Sequence, residues 1–518
     1  MRLPQSLLAG AATAAFLLSL GTSASAADPV RVCGYPDGRY PNITVDSGNY
    51  QAHLNEWNDA AYQAGQNLCI AATGGSGFGV EASTLNSPNG QPAAYPNIGV
   101  HPDKQAQAGF PARVDTLGDT TSSWSTVAGT GTYNSSYDIW YADNAADCSN
   151  YTTSYELMVW LNRPGGPQPI GGAGQVQATV GGTAYTASLH QPDGNVTQKV
   201  ISYIRNTPTT SVYRLNLREF TQDAVMRGYA PANGYLCKVE AGFEIWRDGN
   251  GLKTTSFSYS PKVGLPTGHL ASGLHNRCLS WKPGASPSAV TAACSVSADQ
   301  NWAVANDGSI HIAGKCLDNS ASHTNNGNPV KLYDCNGSAA QKWRPDANRS
   351  LVNLAAPGKC LDIPSGGLDD VQLQIWTCNG TASQQWSVPQ NGAGTSTGVT
   401  SKPGGLCLAN QNDQKAVIAT CGDAGTQTWN LGADGTERIQ INGRCLGTAG
   451  VGNGSLATVG ACDGSPAQRW IAQPGGWISN PASGRCLDDP AQSMTPGTQV
   501  QIYDCNGSDA QVWWSALT

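Results

Sequence analysis

The chain has 518 residues, of which 29 are Lys or Arg and 36 are Asp or Glu. The formal net charge of −7, without a basic tract, argues against binding to nucleic acid or to anionic membranes. Only 13% of the residues are charged, whereas Gly (62) and Pro (30) are abundant and Trp (15) outnumbers Phe (6). This composition favours turn-rich β structure, and the length suggests about three domains.

The first 26 residues are typical of a secretory signal peptide. A short positive start precedes an apolar stretch over 7–20, and the small residues at 24–26 fit a cleavage site. The apolar stretch is too short to span a bilayer, and no later stretch of about 18 apolar residues follows. We therefore expect a secreted, extracellular protein in which disulfides are the default state of the 16 cysteines.

Three short β-like runs between residues 28 and 262 carry acidic side chains. Strand alternation places certain residues on a shared face: Asp138 with Trp140, Glu156 with Met158 and Trp160, and Glu244 with Trp246. A carboxylate beside an indole suits a cleft that grips sugar rings, and acids on otherwise apolar strands are costly unless a site uses them. Any one of the three acids alone is equally typical of a solvated strand edge.

The same runs, Tyr-Asp-Ile-Trp, Glu-Leu-Met-Val-Trp-Leu-Asn and Gly-Phe-Glu-Ile-Trp in that order, resemble glycoside hydrolase family 12 over most of residues 30–260. The resemblance implies a jelly-roll β-sandwich and a secreted endoglucanase that retains anomeric configuration. It also implies that Glu156 is the nucleophile, that Glu244 is the general acid/base, and that Asp138 hydrogen-bonds and orients the nucleophile. Two carboxyls are what a retaining glycosidase needs.

The resemblance further implies substrate contacts. Asn55 and Trp57 would meet sugar on the non-reducing side, while Met158 and Trp160 would shape the cleft. It also implies a disulfide between Cys33 and Cys69.

Two residues depart from the family pattern, because Ile245 replaces the usual Pro after the acid/base and Asn58 replaces the Gly after the cleft Trp. These departures bear on substrate preference more than on catalysis. Cys148 and Cys237 are not typical family positions, and we offer as a hypothesis that they form a bridge tethering the two catalytic segments.

The second half of the chain contains six copies of a repeat, marked by Gln-x-Trp with Trp spacings of 41 to 43 residues. Each copy has a Cys-Leu followed 14 to 19 residues later by a second cysteine, so a bridge within each repeat is the simplest assignment. The pairs would be Cys278–Cys294, Cys316–Cys335, Cys360–Cys378, Cys407–Cys421, Cys445–Cys462 and Cys486–Cys505. Zinc binding is disfavoured because the spacing lacks C-x₂-C and positioned His.

The repeat Cys-Leu-Asp…Val-Gln-Ile-Tyr-x-Cys-Asn-Gly…Gln-x-Trp resembles the ricin-B-type β-trefoil lectin, carbohydrate-binding module family 13, which groups three repeats. Six repeats imply two trefoils, over 265–390 and 400–518, joined by a Gly/Ser/Thr-rich linker over 391–399. A β-propeller has a similar period, but its Gly-His…Trp-Asp signature is missing. A Trp in every repeat is expected to pack in the core, so Gln-x-Trp marks the fold rather than the sugar site.

In this lectin family sugar is held by the Asp after Cys-Leu, the aromatic residue two positions before the second Cys, and the Asn after it. Three repeats have the full set: Asp318, Tyr333 and Asn336; Asp362, Trp376 and Asn379; and Asp488, Tyr503 and Asn506. The other three lack the acid and the ring and are expected to be structural: Ser280 and Ala292, Ala409 and Ala419, and Gly447 and Gly460.

Together these patterns predict an all-β, monomeric, secreted endo-β-1,4-glucanase acting on cellulose or β-glucan, with two lectin modules for galactoside or xylan type sugars. Two alternatives stay open, a xyloglucan-specific endoglucanase and a multivalent lectin with an inactive hydrolase-like domain. The seven His are scattered without a metal motif, so neither a metal nor another cofactor is expected.

Overall fold

The computed structural model describes residues 30–34, 41–58, 65–87, 89–149, 153–172, 176–193, 196–284, 288–367, 369–389, 395–431 and 437–514. The expected signal peptide at 1–26 lies outside these ranges. Within them no helix is both long and apolar enough to cross a membrane.

The described residues of the N-terminal half include nineteen strands. They are β1 (Arg31–Cys33), β2 (Asn42–Val45), β3 (Tyr50–His53), β4 (Leu68–Gly74), β5 (Gly77–Ser83), β6 (Leu85–Asn86), β7 (Asn97–Val100), β8 (Ala112–Arg113), β9 (Thr121–Val127), β10 (Gly131–Tyr133), β11 (Ser135–Ala142), β12 (Tyr155–Asn162), β13 (Val176–Val180), β14 (Thr183–His190), β15 (Lys199–Arg205), β16 (Ser211–Asn216), β17 (Tyr235–Gly242), β18 (Ile245–Asp248) and β19 (Lys253–Ser260).

Two large sheets of these strands face each other. A six-stranded sheet has the order β1-β4-β5-β19-β9-β16, and a ten-stranded sheet has the order β13-β14-β15-β12-β11-β17-β7-β3-β2 with β8 paired to β17. A small sheet, β10-β18-β6, lies beside them. One continuous core contains side chains from both large sheets, such as Trp124 of β9 and Tyr137 of β11, whose rings are 5.3 Å apart. This sandwich is the jelly roll that the family resemblance implies.

Alternation along β11 and β12 separates an apolar face from a polar one. Tyr137, Ile139, Leu157 and Val159 are fully buried in the core between the sheets. The intervening residues lie on the opposite side, which we call the outer face. On the three central strands the outer-face residues are Glu156, Met158 and Trp160; Ser136, Asp138 and Trp140; and Lys238, Glu240 and Gly242.

Three α-helices lie among the described residues: Ala145–Ser149, Leu217–Arg227 and Ala424–Gln427. Short 3₁₀ turns occur at Asp46–Gly48, Pro102–Lys104, Val114–Thr116, Ala298–Gln300, Ser320–Ser322, Ala339–Gln341, Pro364–Gly366, Ala382–Gln384, Pro466–Gln468, Pro490–Gln492 and Asp509–Gln511. The longest helix begins after Asn216, whose side chain accepts from the Arg218 amide, and ends at Gly228, whose φ of 78° suits glycine.

The C-terminal half forms two thirteen-stranded sheets. The first contains β20 (Thr267–Gly268), β21 (Ala271–Ser272), β22 (Arg277–Lys282), β23 (Ser288–Ala293), β24 (Trp302–Val304), β25 (Ile310–Ile312), β26 (Lys315–Asn319), β27 (Asn328–Asp334), β28 (Trp343–Pro345), β29 (Leu351–Asn353), β30 (Lys359–Asp362), β31 (Gln374–Thr377) and β32 (Trp386–Ser387). The second contains β33 (Thr395–Gly398), β34 (Thr400–Ser401), β35 (Cys407–Gln411), β36 (Lys415–Ala419), β37 (Thr428–Leu431), β38 (Ile439–Ile441), β39 (Arg444–Thr448), β40 (Ser455–Ala461), β41 (Ile471–Ala472), β42 (Ile478–Asn480), β43 (Arg485–Asp488), β44 (Gln501–Asp504) and β45 (Trp513–Trp514).

The Gln-x-Trp motif has the same structural role in all six repeats. Each Trp is buried, and its indole N–H donates to the carbonyl of the Leu in the Cys-Leu pair of its own repeat. Each Gln side chain donates to the backbone carbonyl of the residue before the second cysteine. The prediction that this motif marks the fold is confirmed.

Eight disulfides close the structure and leave no free cysteine among the described residues. They join Cys33–Cys69, Cys148–Cys237, Cys278–Cys294, Cys316–Cys335, Cys360–Cys378, Cys407–Cys421, Cys445–Cys462 and Cys486–Cys505. These are the pairs expected from the sequence.

The expected linker over 391–399 is too long. Thr395–Gly398 forms β33, which pairs with β37 inside the second thirteen-stranded sheet, whereas residues 390–394 lie outside the described ranges. The Gly/Ser/Thr composition predicted a linker, but such residues can also form a strand at the edge of a sheet.

The first thirteen-stranded sheet contacts the sandwich through buried polar groups. Arg218, in the longest helix, donates to the carbonyl of Val304 at 2.6 Å. Asn306 donates in the other direction, to the carbonyls of Val114 (2.6 Å) and Leu117 (2.9 Å). Because the side chains of Arg218 and Asn306 are almost inaccessible to water, the two parts of the chain are packed against each other at this contact.

The segments that form the two thirteen-stranded sheets also contact each other directly. The ring of His269 lies 2.6 Å from a carboxylate oxygen of Glu437, and the amide of Asn276 donates to Gln473 at 2.9 Å. Ile471 packs on the Cys278–Cys294 bridge. These contacts, like those to the sandwich, bring repeats together that the sequence alone left independent.

Candidate active site

Glu156 and Glu244 lie close together on the outer face of the ten-stranded sheet. Glu156 is in β12, and Glu244 stands between the end of β17 and the start of β18. The strand order β12-β11-β17 leaves one strand between them. The two acids are 88 positions apart in the sequence, and the sheet brings them to opposite sides of β11, close enough for the charge of Glu244 to act on Glu156.

The environment of these acids favours their protonated forms. Desolvation raises the pKa of Glu156 above the ordinary glutamate value, and the nearby negative charge of Glu244 raises it further. Desolvation also raises the pKa of Glu244. Because two like charges in a poorly solvated site oppose one another, the two carboxyls ionise one after the other.

Asn134 fixes the position of Glu244. Its side-chain amide donates to the carboxylate of Glu244, and its side-chain oxygen accepts from the Glu244 backbone amide at 3.0 Å. The Asn134 backbone amide also donates to the Glu244 carbonyl at 3.0 Å. Asn134 is completely buried and was not singled out in the sequence, because its partner lies 110 residues away.

Asp138 lies between the two glutamates on the intervening strand. The register places it opposite Met158, one step diagonal from Glu156. The hydrogen bond that it accepts comes from Ser136 Oγ at 3.1 Å, whereas Glu156 acts on it through charge. Desolvation and the surrounding carboxylates raise its pKa well above the ordinary aspartate value.

A third group on the outer face was missed by the sequence analysis. Lys238 and Glu240 of β17 form an ion pair of 3.0 Å, and the Trp140 indole donates to the same Glu240 oxygen at 3.1 Å. The alternation Lys238, Glu240, Gly242 leading to Glu244 was available as a signal, because every second residue of a strand shares a face.

The segment that carries Asn55 and Trp57 is connected to the site through the neighbouring backbone of Tyr95 and Ala94. Asn55 accepts from the Tyr95 amide at 2.9 Å, and Ala94 next to it pairs with Ile245, the neighbour of Glu244. The Trp57 ring is 42% exposed. Ile245 stands where the family usually has a proline. Its backbone amide donates to the carbonyl of Ala94 at 3.0 Å, a hydrogen bond that a proline could not form.

Met158 and Trp160 lie on the expected face but leave little surface for a ligand. They are 4% and 1% exposed and form a cluster with Val200 and Ile204, and Ile170 and Trp246 pack against it. The Trp160 and Trp246 rings are 6.2 Å apart. The sequence pattern predicted the sheet face on which they lie but not the segments that cover them. Because they are buried, these side chains are better suited to supporting the cleft wall than to contacting a sugar directly.

The three repeats with a full sugar-binding set share one geometry. Tyr333, Trp376 and Tyr503 are 60%, 41% and 40% exposed. In each repeat the buried carboxylate (Asp318, Asp362 or Asp488) accepts from the Gln of Gln-x-Trp at 3.0–3.1 Å. The three Asn residues (Asn336, Asn379 and Asn506) donate their backbone amide to the same Gln.

Cross-strand pairing brings ring and acid to the same side. Trp376 is opposite Cys360, two positions from Asp362, and the equivalent register joins the tyrosines to their acids. A second glutamine, Gln374, also donates to Asp362 at 2.7 Å. Each carboxylate is therefore held still by amides beneath an exposed ring, an arrangement suited to a sugar hydroxyl and a pyranose face.

One group of potential metal ligands occurs in the described part of the chain, formed by His311, Cys316 and Cys335. Both cysteines are joined in a disulfide, so they do not offer thiolates to a metal.

Comparison with known proteins assigns families to both halves. Residues 48–261 match "Glycosyl hydrolase family 12", and residues 266–386 and 395–513 match "Ricin-type beta-trefoil lectin domain". The chain is 30% identical over 222 residues to "Inactive glycoside hydrolase XLP1" of Phytophthora nicotianae, covering 42% of this chain and 87% of that protein.

Two further relatives are informative. The chain is 34% identical over 130 residues to "Probable xyloglucan-specific endo-beta-1,4-glucanase A" of Aspergillus flavus, which is 24% of this chain and half the length of that relative. Among solved structures, endoglucanase cel12A from Rhodothermus marinus is 31% identical, with a TM-score of 0.39, covering 45% of this chain and 99% of that one. The chain belongs to glycosyl hydrolase family 12 and carries two ricin-type β-trefoil lectin domains.

Proposed function

We propose that the chain is a secreted, retaining endo-β-1,4-glucanase in which Glu156 is the nucleophile and Glu244 is the general acid/base. The observation that carries this proposal is the pairing of the two carboxyls across β11, close enough for one charge to raise the pKa of the other. A retaining glycosidase needs its two carboxyls about 5–5.5 Å apart.

The reaction would proceed in two displacements. Glu156, ionised, attacks the anomeric carbon while Glu244 gives its proton to the departing oxygen, and a glycosyl ester forms on Glu156. Glu244 then removes a proton from water, which attacks the ester and releases the sugar with its configuration retained. Asn134 would hold Glu244 in place for both proton transfers.

The remaining proposed roles follow from exposure and position. Asn55 and the exposed Trp57 would bind sugar on the non-reducing side, and Met158 and Trp160 would support the cleft wall. The three complete lectin repeats would bind galactoside or xylan type sugars and keep the enzyme near polysaccharide, because several weak sites on one chain raise the effective concentration.

The first test compares wild type with Glu156→Gln and Glu244→Gln on β-glucan, carboxymethylcellulose and xyloglucan. Removing the nucleophile or the general acid is expected to lower turnover by about 10²–10⁴-fold or more. Glu81→Gln is a matched control, because Glu81 is an exposed residue of the six-stranded sheet paired with Arg31. Wild-type turnover in both active-site variants would refute the assignment.

Azide rescue separates the two roles. With Glu156→Ala, azide would occupy the space of the nucleophile and give an α-glycosyl azide from an activated substrate. With Glu244→Ala, azide would attack the glycosyl ester and give the β anomer. The same anomer from both variants would show that the roles are wrongly divided.

Two other functions have a specific observation in their favour. Xyloglucan hydrolysis is favoured by the relatives described as xyloglucan-specific, and a lectin with an inactive hydrolase-like domain is favoured by the relative described as inactive. The substrate panel decides among them: a higher kcat/KM on xyloglucan selects the former, and no turnover on any glucan selects the latter.

The lectin sites are tested by retention on immobilised galactoside and xylan. Trp376→Ala removes an exposed ring and is expected to reduce retention, since a stacking aromatic contributes about 0.5–1.5 kcal/mol or more. Ala419→Val changes the corresponding incomplete repeat and should leave retention unchanged. Equal retention of both variants would remove Trp376 from the site.

A further inference from the structure

Lys238 lies on the outer face of the ten-stranded sheet, where it pairs with Glu240 and acts through charge on Glu156. The register of β11 places Trp140 opposite Glu156 on one side and opposite Lys238 on the other. Lys238 and Glu156 therefore flank the same indole on neighbouring strands. A lysine is unexpected on a sheet face whose other residues are mostly apolar or acidic. The contacts of Lys238 explain its presence there.

Lys238 forms a group with Trp140 and Glu240, and His53 of β3 interacts through charge with both Lys238 and Glu240. The Lys238 ammonium is 3.0 Å from Glu240 Oε2 and 5.7 Å from the centre of the Trp140 ring. The Trp140 indole donates to that same carboxylate oxygen at 3.1 Å. A charge pair that also stacks on and is hydrogen-bonded by a neighbouring indole is held in one arrangement.

The charges that reach Glu156 come from several elements. Glu244 and Glu240 oppose its ionisation, and Lys238 favours it. Asp138 adds a further carboxyl from β11. On the other side, Val200 of β15 lies opposite Glu156 and is followed across the sheet by His190, whose ring is 3.8 Å from Asp193.

Without Lys238, the carboxylate of Glu240 would face Glu156 and Asp138 uncompensated. Like charges in a poorly solvated site oppose one another strongly, so Glu156 would take up a proton and lose its nucleophilicity. With Lys238 in place, the ammonium offsets part of the effect of the Glu240 charge on Glu156, which is the larger of the two, and so keeps the pKa of Glu156 from rising further.

We infer that Lys238 and Glu240 are a positioning pair for the nucleophile: held by Trp140, the Lys238 ammonium offsets the negative charge that Glu240 presents to Glu156. This inference rests on the proposed role of Glu156, which neither member of the pair replaces. Lys238 and Glu240 act through another side chain and are not themselves catalytic residues.

The test measures the protonation of Glu156 directly in the full-length protein. The chain contains seven glutamates, so a spectrum of protein labelled with ¹³C at the glutamate carboxyl is sparse, and the Glu156 signal is identified by its absence in Glu156→Gln. Lys238→Met is expected to raise the pKa of Glu156 by about 0.5–1, and Lys238→Arg should restore it. Glu240→Gln is expected to lower the pKa of Glu156.

The opposite directions are what distinguish this role from a structural one. A pKa of Glu156 that moves the same way in both variants, or moves in neither, would overturn the inference. Where Lys238→Met does not fold, Glu240→Gln alone decides, because only a lowered pKa agrees with the inference.

Activity gives a second readout. In the pH profile of kcat/KM, the acidic limb should move to higher pH in Lys238→Met and to lower pH in Glu240→Gln. Below the limb, kcat/KM should fall about tenfold for each pH unit by which the limb moves upward. If the carboxyl titrations move as expected while Glu156→Gln keeps full turnover, the pair is correct and the proposed function is wrong.

Discussion

Glu156, Glu244 and Asp138 are ionisable side chains held where water solvates them poorly. Desolvation raises the pKa of each, which means that the folded chain binds protons more tightly than the unfolded chain at these positions. Their ionised forms therefore reduce stability as the pH rises from the ordinary glutamate or aspartate range through the raised values. Such a cost is typical of a functional site rather than of a structural core.

Replacing Glu156 by Gln is accordingly expected to abolish turnover and to raise the melting temperature at pH 8. A folded-state pKa raised by one corresponds to about 1.4 kcal/mol, and a domain of this size gains ~2–4 °C per kcal/mol. At pH 4 the wild-type carboxyl is already protonated, so the difference should vanish. Calorimetry at the two pH values measures it, and a lower melting temperature at pH 8 would contradict the charge assignment.

Asn134→Ala is expected to lower kcat about tenfold or more, because Glu244 loses the side chain that fixes its carboxylate. The lost hydrogen bond favoured the ionised form, so the pKa of Glu244 should rise further. The basic limb of the pH profile, which reports the loss of the acid's proton, should then move to higher pH. A limb that stays in place or moves to lower pH would show that Asn134 does not act on Glu244.

For single elements, the spacing of cysteines and the alternation of residues along strands predicted the structure correctly. Strand alternation gave the shared face of Glu156, Met158 and Trp160, and repeated cysteine spacing gave the bridges of the six repeats. Asn134 was invisible because its contact with Glu244 depends on the pairing of β10 with β18, which connects distant parts of the chain. The burial of Met158 and Trp160 was missed because it depends on side chains from β15 and β18, not on their own strand.

The bridge between Cys148 and Cys237 joins the short helix Ala145–Ser149 to β17, the strand that leads to Glu244. Replacing both cysteines by serine is expected to cost about 2–5 kcal/mol of unfolding free energy, because the bridge closes a long loop. Urea titration of the double variant against wild type measures this cost. Peptide mapping of the wild type that found either thiol free would contradict the pairing.

Buried polar contacts join the domains in the part of the chain that the structure describes. Asn306 of the first lectin domain satisfies two carbonyls of the hydrolase sandwich, and Arg218 of the sandwich satisfies one carbonyl of the lectin domain. Composition can indicate a linker, but it cannot predict these contacts, because each contact depends on two folded surfaces that lie against each other. The lectin sites are therefore carried in a set relation to the sheet that bears Glu156 and Glu244.

Asn306→Ala should weaken this connection by about 1–3 kcal/mol, since it leaves buried carbonyls without a donor. We expect the hydrolase domain to melt at a lower temperature, separately from the lectin domains, in calorimetry of the full chain. Asn348→Ala, in an exposed turn, is the control. An unchanged hydrolase transition in Asn306→Ala would show that the domains melt independently of this contact.

The central claim, that Glu156 attacks the sugar with Glu244 as its acid/base, is tested most directly by trapping the glycosyl ester. An activated 2-deoxy-2-fluoro cello-oligosaccharide slows the second displacement, and mass mapping of the digested protein locates the labelled peptide. We expect a single sugar on Glu156 and none on Glu156→Gln. A label on Glu244, Glu240 or any other side chain, or the absence of a label together with the absence of turnover, would contradict it.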